Sequence, residues 1–215
     1  MAQPSHERHP TVAAGVDETS NCRGRARQRR NERARRAILH AADDLLVELG
    51  FAGVTVEAIA ARAGVGKQTI YRWWSSKTEV LLECLLEDAA EDLPRPDTGR
   101  VGEDLRVRLR ELSHFLAVSD AGRVERALLG EAQHSPSLAV ALRATYLQRE
   151  RDRDRLLIAR AIERAELPPD LDIEVALDQL LGPVYYRELV TGQPVDDGYT
   201  DALVASFLAA CSFSR

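Results

Sequence analysis

Thr55–Lys77, TVEAIAARAGVGKQTIYRWWSSK, is the stretch of this 215-residue chain whose reading decides the fold. Within it Val56, Ile59, Ala60 and Ala63 recur at the spacing of one helical face, and Thr55 stands just before them, where a hydroxyl can cap the first orphan N–H groups. Gly64 ends that helix, Val65 can plug the corner, and Gly66 leads into a second short helix through Lys67, Gln68, Thr69, Ile70, Tyr71, Arg72 and Trp73. Ile70 and Trp74 lie one turn apart and can face the core, which leaves Lys67, Gln68, Thr69, Tyr71 and Arg72 outward. Two helices joined by a glycine turn over 56–73 read as a helix-turn-helix, whose second helix fits the DNA major groove. The outward face carries the basic and hydrogen-bonding groups that phosphates and base edges require. An ordinary helical hairpin with a solvated face has the same pattern, so these features alone leave both readings open.

The same residues carry a family resemblance. The stretch resembles the DNA-binding domain of TetR-family transcriptional repressors, whose pattern is close to T-V-x-x-I-A-x-x-A-G-V-S-x-x-T-[IL]-Y-x-x-F-x-x-K-x-x-L. Thr55, Val56, Ile59, Ala60, Ala63, Gly64, Val65, Thr69, Ile70, Tyr71, Lys77 and either Val80 or Leu81 fill it. Two positions depart: Trp74 replaces a Phe and keeps the core aromatic, whereas Gly66 replaces a Ser that would cap the recognition helix and could reach a phosphate. The resemblance covers about Arg33 to Leu86. It implies sequence-specific binding of a double-stranded DNA operator, with Thr55, Lys67, Gln68, Thr69, Tyr71, Arg72 and Lys77 at the DNA.

With 45% hydrophobic residues the chain can bury a real core. No window approaches the apolar length of a membrane span and the N-terminus lacks an apolar h-region, so no membrane partner is expected and the cytoplasm is the expected compartment. Cys22, Cys84 and Cys211 lie far apart and form neither a disulfide framework nor a metal cluster; Cys84 and Cys211 read as buried small hydrophobes. The formal net charge of -5 divides unevenly: residues 1–82 hold 13 basic against 9 acidic side chains, and 83–215 hold 16 against 25. A basic head on an acidic body suits a DNA-binding protein.

Residues 1–30 read as a disordered basic arm, with no periodicity to about residue 22 and then an arginine run through Arg36 opposed only by Glu32. The arm is either a solvated leader or a set of phosphate or minor-groove contacts, Arg29, Arg30 and Arg33 among them. Residues 31–78 form the expected helix-turn-helix domain, opened by a helix whose stripe is Ile38, Ala41, Ala42, Leu45, Leu46 and Leu49. Ser76 and Glu79 form a capping box for a fourth helix that runs into the body, and its first turn presents Lys77 as a phosphate contact.

The body, 79–215, shows no strand signal, so the fold class is all-α with about nine helices. Pro94, Pro96 and Gly99 punctuate a linker; Leu105, Leu109, Leu112 and Leu116 then make a stripe, and a long helix starts at Pro136. Its alternating charges from Arg149 to Arg155 read as a solvated face. Two further helices, about Asp172–Thr191 with a kink expected at Gly182-Pro183 and one through Leu203–Cys211, carry broad apolar faces. The segment GPVYYRELVTGQP also resembles the C-terminal domain of one TetR subgroup, and that family pairs its last two helices in a dimer bundle. This implies a homodimer through Leu177, Leu181, Val204, Phe207 and Leu208. It also implies a small-molecule effector in a mainly apolar pocket, with Phe115, Tyr146 and Tyr185 as aromatic walls and His114 or His134 as a polar contact. Taken singly, each of these pocket residues reads first as ordinary core or surface. No metal spacing, nucleophile elbow or phosphate loop is present, so no catalytic residue, cofactor or metal is expected. The alternative function is a helical protein-interaction or ligand-binding module without DNA binding.

Overall fold

Helix is the only regular structure among the described residues, 18–92 and 96–213 of the computed structural model. The expected tail over 1–17, together with Pro94, lies outside them. By contacts the chain divides into two units, residues 1–36 and 37–215.

In the first unit the described backbone is helical from Glu18, the start of α1 (Glu18–Gly53). The expectation of disorder to residue 30, with helix from about Asn31, is therefore corrected over 18–30. Arginine, alanine and glutamine are good helix formers, and Glu32 sits one turn before Arg36, its carboxylate accepting from Arg36 Nε at 3.3 Å. Such a helix is about 10–12 Å across, wider than a minor groove of about 6 Å, so over these residues the backbone as described does not fit inside that groove.

The second unit holds the rest. Ile38, Ala41, Ala42, Leu45 and Leu46 of α1 are buried as expected, but Leu49 is 54% exposed. Gly50 breaks the helix there at φ 67, ψ 171, so the stripe ends one turn early. Then come α2 (Val56–Ala63), α3 (Lys67–Tyr71) and α4 (Lys77–Asp92), followed by α5 (Val101–Val118) and α6 (Asp120–Ala132). A continuous run comprises α7 (Pro136–Leu142), a π-helical turn Arg143–Leu147 and α8 (Gln148–Glu163). The chain closes with α9 (Ile173–Tyr186), a second π turn Arg187–Thr191 and α10 (Asp197–Phe213). With the run 136–163 taken as one, the described residues hold nine helices.

The leucine stripe of α5 is wholly buried, each leucine contributing about 2 kcal/mol, and packs on α6, α9 and α10. The turn from α5 into α6 is tight because Ser119 serves both helices: its hydroxyl donates to Phe115 O at 2.8 Å and accepts from Gly122 N at 2.9 Å. Gly122 is part of that device, since a Cβ there would lie 1.9 Å from Phe115 O. α9 starts on an Asp172 cap and runs through Gly182 and Pro183, so helical structure spans 173–191. α6 and the first π turn both pack on α4, which continues directly from the helix-turn-helix. Among the described residues no helix is long and apolar enough to cross a membrane.

Candidate nucleic-acid interface and body cavity

The helix-turn-helix is built by its own sequence. Thr55 Oγ1 accepts from Ala58 N at 3.1 Å and opens α2. Gly64 closes it in the left-handed region at φ 67, with Val65 N donating to Ala60 O and Gly64 N to Ala61 O, the paired bonds of a Schellman end. Val65 packs half-buried on the core and plugs the corner. Gly66 precedes α3 without a side-chain cap, as its replacement of Ser predicts. Ile70 and Trp74 are buried, and Trp74 Nε1 donates to Glu83 Oε2 at 2.5 Å. On the other side Lys67, Gln68, Tyr71 and Arg72 are exposed and Thr69 is half-buried, so the five predicted side chains share the outward surface of α3 and its C-terminal end. Lys67 meets Glu57 at 2.9 Å across the two helix starts, an exposed pair that is cheap to exchange for a phosphate. Arg72 lies 4.4 Å from the Trp73 ring centroid, within cation–π range.

Lys77, expected at the DNA, also makes contacts within the chain. Its ammonium donates to Phe51 O at 2.7 Å and Val54 O at 2.9 Å and lies 4.2 Å from the Phe51 ring centroid. Those carbonyls follow the Gly50 break, so Lys77 ties the end of α1 to the start of α4. The Ser76 cap holds, with Ser76 Oγ accepting from Glu79 N at 3.3 Å, while Glu79 reaches back to Ser75 N at 2.7 Å.

In the body a cavity of about 380 Å³ opens beside α5, α8 and α9. Leu112, Leu129, Leu147, Leu181 and Leu189 supply its apolar wall and Tyr185 its aromatic one. Arg108 and Asp154, both buried, form its polar floor: Nε donates to Oδ1 at 2.6 Å and Nη2 to Oδ2 at 3.0 Å. Arg108 Nη1 is buried without a hydrogen-bond partner. Burial works to lower the Arg108 pKa, and the Asp154 carboxylate outweighs it and holds the guanidinium charged. Behind the cavity, Glu125 of α6 is wholly buried and accepts from Tyr146 Oη and Tyr185 Oη, each at 2.9 Å. Burial raises its carboxyl to about 7 against the opposing pull of the two phenols. Tyr146 and Tyr185 are raised in turn by burial and by the facing carboxylate.

Residues 38–84 match the family described as "Bacterial regulatory proteins, tetR family", and residues 95–207 match "Tetracyclin repressor-like, C-terminal domain". The chain belongs to the TetR family of transcriptional regulators. It is similar to the uncharacterized HTH-type transcriptional regulator YdeS of Bacillus subtilis, 43% identical over 81% of this chain and 88% of that one. It is also similar to the DNA-binding transcriptional repressor TetR of Mycobacteroides abscessus, 28% identical over 83% of this chain and 94% of that protein. The crystal structure of the TetR family transcription regulator SCO0332 superposes with a TM-score of 0.70 at 38% identity, covering 82% of this chain and 97% of that chain.

Within this TetR-family body the expected pocket residues separate. Tyr185 lines the cavity and Tyr146 lies behind it through Glu125, whereas Phe115 is packed into the core and does not line it. His114 and His134 are exposed and do not line this cavity. Of the expected dimer residues, Leu177, Val204 and Phe207 are buried within the single chain, while Leu181 and Leu208 pack half-buried on the same core and keep part of their surface open. The run Arg149–Arg155 is not a solvated face, because Glu150 and Asp154 are buried and Arg151 and Arg155 bind Glu174 of α9. Arg108, Glu125, Glu150 and Asp154 were missed by sequence reasoning although a signal existed. Glu125 occupies the core register of α6 with Ala121, Val124 and Leu128, and Glu150 and Asp154 share the stripe of Leu157, Ile158 and Ala161.

Proposed function

We propose that this TetR-family regulator is a repressor that binds a palindromic operator as a homodimer and releases it when a small molecule enters the body. The observation that carries the reading is the outward set Lys67, Gln68, Thr69, Tyr71 and Arg72 on an α3 anchored in the core by buried Ile70. Gln68 and Arg72 suit base edges, and Thr55 and Tyr71 suit phosphates. Arg29, Arg30 and Arg33, exposed on the helical arm, add phosphate contacts. The Mycobacteroides abscessus relative is itself a DNA-binding transcriptional repressor.

Two-fold pairing is supported by the faces of α9 and α10 that the protomer leaves open. Val175, Gln179, Gly182 and Tyr186 are exposed at the spacing of one α9 face, and Ala202, Ser206 and Ala209 are exposed likewise on α10. Two recognition helices held one DNA turn apart, about 34–36 Å, read successive major grooves. Effector control is supported by the triangle behind the cavity. Tyr185 lines the cavity and bonds Glu125; Glu125 sits on α6 and Tyr146 on the first π turn, and both elements pack on α4. A molecule that moves Tyr185 therefore acts on the helix that carries the head. The test is to sequence the DNA fragments retained by the purified protein. A shared palindrome with half-sites one turn apart is expected, and retention without a common sequence would refute operator binding.

A further inference from the structure

Arg108 is the cavity-lining side chain with a buried, unpartnered donor. A buried N–H of a charged group left without a partner is costly, and a bound acceptor relieves that cost. The charge around it decides which acceptor. Asp154 already neutralises Arg108 through two parallel bonds, and Glu150 lines the same wall beside it. Arg151, the other lining cation, is committed to Glu174 at 2.6 Å and Asp178 at 2.8 Å. The lining thus holds two basic and two acidic side chains, with the Glu125 carboxyl behind it and no surplus positive charge. A carboxylate entering here would stand beside Glu150 and Asp154 or compete with Asp154 for Arg108. A cation would have to displace Arg108 from Asp154 or Arg153 from Glu150 to find an acceptor, since both lining carboxylates are already paired. The remaining wall is leucine and tyrosine.

We infer that the cavity takes an uncharged, largely apolar molecule whose carbonyl-type oxygen accepts from Arg108 Nη1 once a small turn of the guanidinium brings that donor to the cavity surface. This rests on the reading that the body binds an effector, and it adds the chemistry of that effector. The two π-helical turns fit the assignment, since Leu147 and Leu189 reach the cavity from them and such turns set side chains off the regular helical register.

The experiment uses the full-length protein and matched probes on two frames: β-acetylnaphthalene, β-ethylnaphthalene and β-naphthoate, then benzylacetone, butylbenzene and 3-phenylpropionate. Equilibrium dialysis gives affinity, and retention of the selected operator is read in parallel. On at least one frame the ketone is expected to bind about tenfold more tightly than the hydrocarbon and more tightly than the carboxylate, the ratio a hydrogen bond from a charged donor gives. Removing Arg108 alone would strand Asp154, so the variant is the double change Arg108→Met with Asp154→Leu. In it the ketone's advantage is expected to vanish while hydrocarbon binding persists. A carboxylate that binds best, a ketone no better than its hydrocarbon on both frames, or no binding by any probe would overturn the assignment. An undiminished ketone advantage in the double variant would overturn it as well. If the ketone binds as predicted but operator retention is unchanged, the chemical assignment stands and effector control fails. If the hydrocarbon or carboxylate releases the operator equally well, effector control stands and the assignment fails.

Discussion

Glu125 ties the stability of this regulator to pH in a direction that is unusual for a carboxylate. It is wholly buried between two phenols and its carboxyl is raised from 4.5 to about 7, chiefly by burial. The native state therefore holds a proton that the unfolded chain gives up near the ordinary glutamate pKa. The stabilisation is fully present below about pH 4.5 and is lost as pH rises through about 7. At about 1.4 kcal/mol per pH unit, that difference amounts to roughly 3 kcal/mol lost between pH 4.5 and 8. Glu125→Gln keeps the size and an acceptor for one tyrosine but cannot ionise. Urea unfolding of parent and variant at pH 5, 6, 7 and 8 and one fixed protein concentration reads the effect, roughly 3 kcal/mol at most, as a difference between two curves. Asp43, raised to about 6 by burial and then by Asp88, titrates in both proteins and cancels. The variant is expected to gain on the parent steadily from pH 5 to 8. Parallel curves would refute the buried ionisable triangle.

Lys77→Met is expected to cost roughly 1–3 kcal/mol of stability, because Phe51 O and Val54 O lose a charged donor, and to leave the salt slope of DNA binding unchanged when measured on folded protein. A lower salt slope with full stability would return Lys77 to a phosphate. Gly122→Ala should destabilise by roughly 1–3 kcal/mol in thermal melts, since the new Cβ meets a backbone carbonyl at 1.9 Å; an unchanged melt would contradict the tight turn from α5 into α6. Ala202→Arg, at an exposed α10 position, should leave a folded monomer in light scattering, whereas Leu177→Arg, buried in the protomer, should fail to fold. A dimeric Ala202→Arg protein would place the interface elsewhere.

Most of the head was legible in the sequence because its signals are local: a hydroxyl cap at Thr55, a left-handed glycine at Gly64, and apolar residues at helical spacing up to Gly50. The start of α1 was not, since a charged run without an apolar stripe shows helix propensity but no burial. The role of Lys77 was hidden for another reason: its partners lie 26 and 23 residues earlier, and carbonyls exposed by a helix break leave no mark in the sequence. In the body the helices could be read, yet the division of their apolar faces between core and interface could not. α9 is apolar on more than one side, and only packing shows that Leu177 belongs to the core and Val175 to the surface. Buried charges were read as solvated because alternating sign on a helix is usually a surface pattern; Asp154 is held inside by an arginine 46 residues away.

The central claim, that the outward face of α3 reads a specific DNA sequence, is tested most directly by fluorescence anisotropy. The selected palindrome and a scrambled duplex are compared across a salt series for the parent, Gln68→Ala and Arg72→Ala. Affinity for both duplexes should fall steeply with salt, and each substitution should erode the preference for the palindrome by roughly 1–3 kcal/mol. Equal affinity of the parent for the two duplexes, or full preference retained by both variants, would contradict the account.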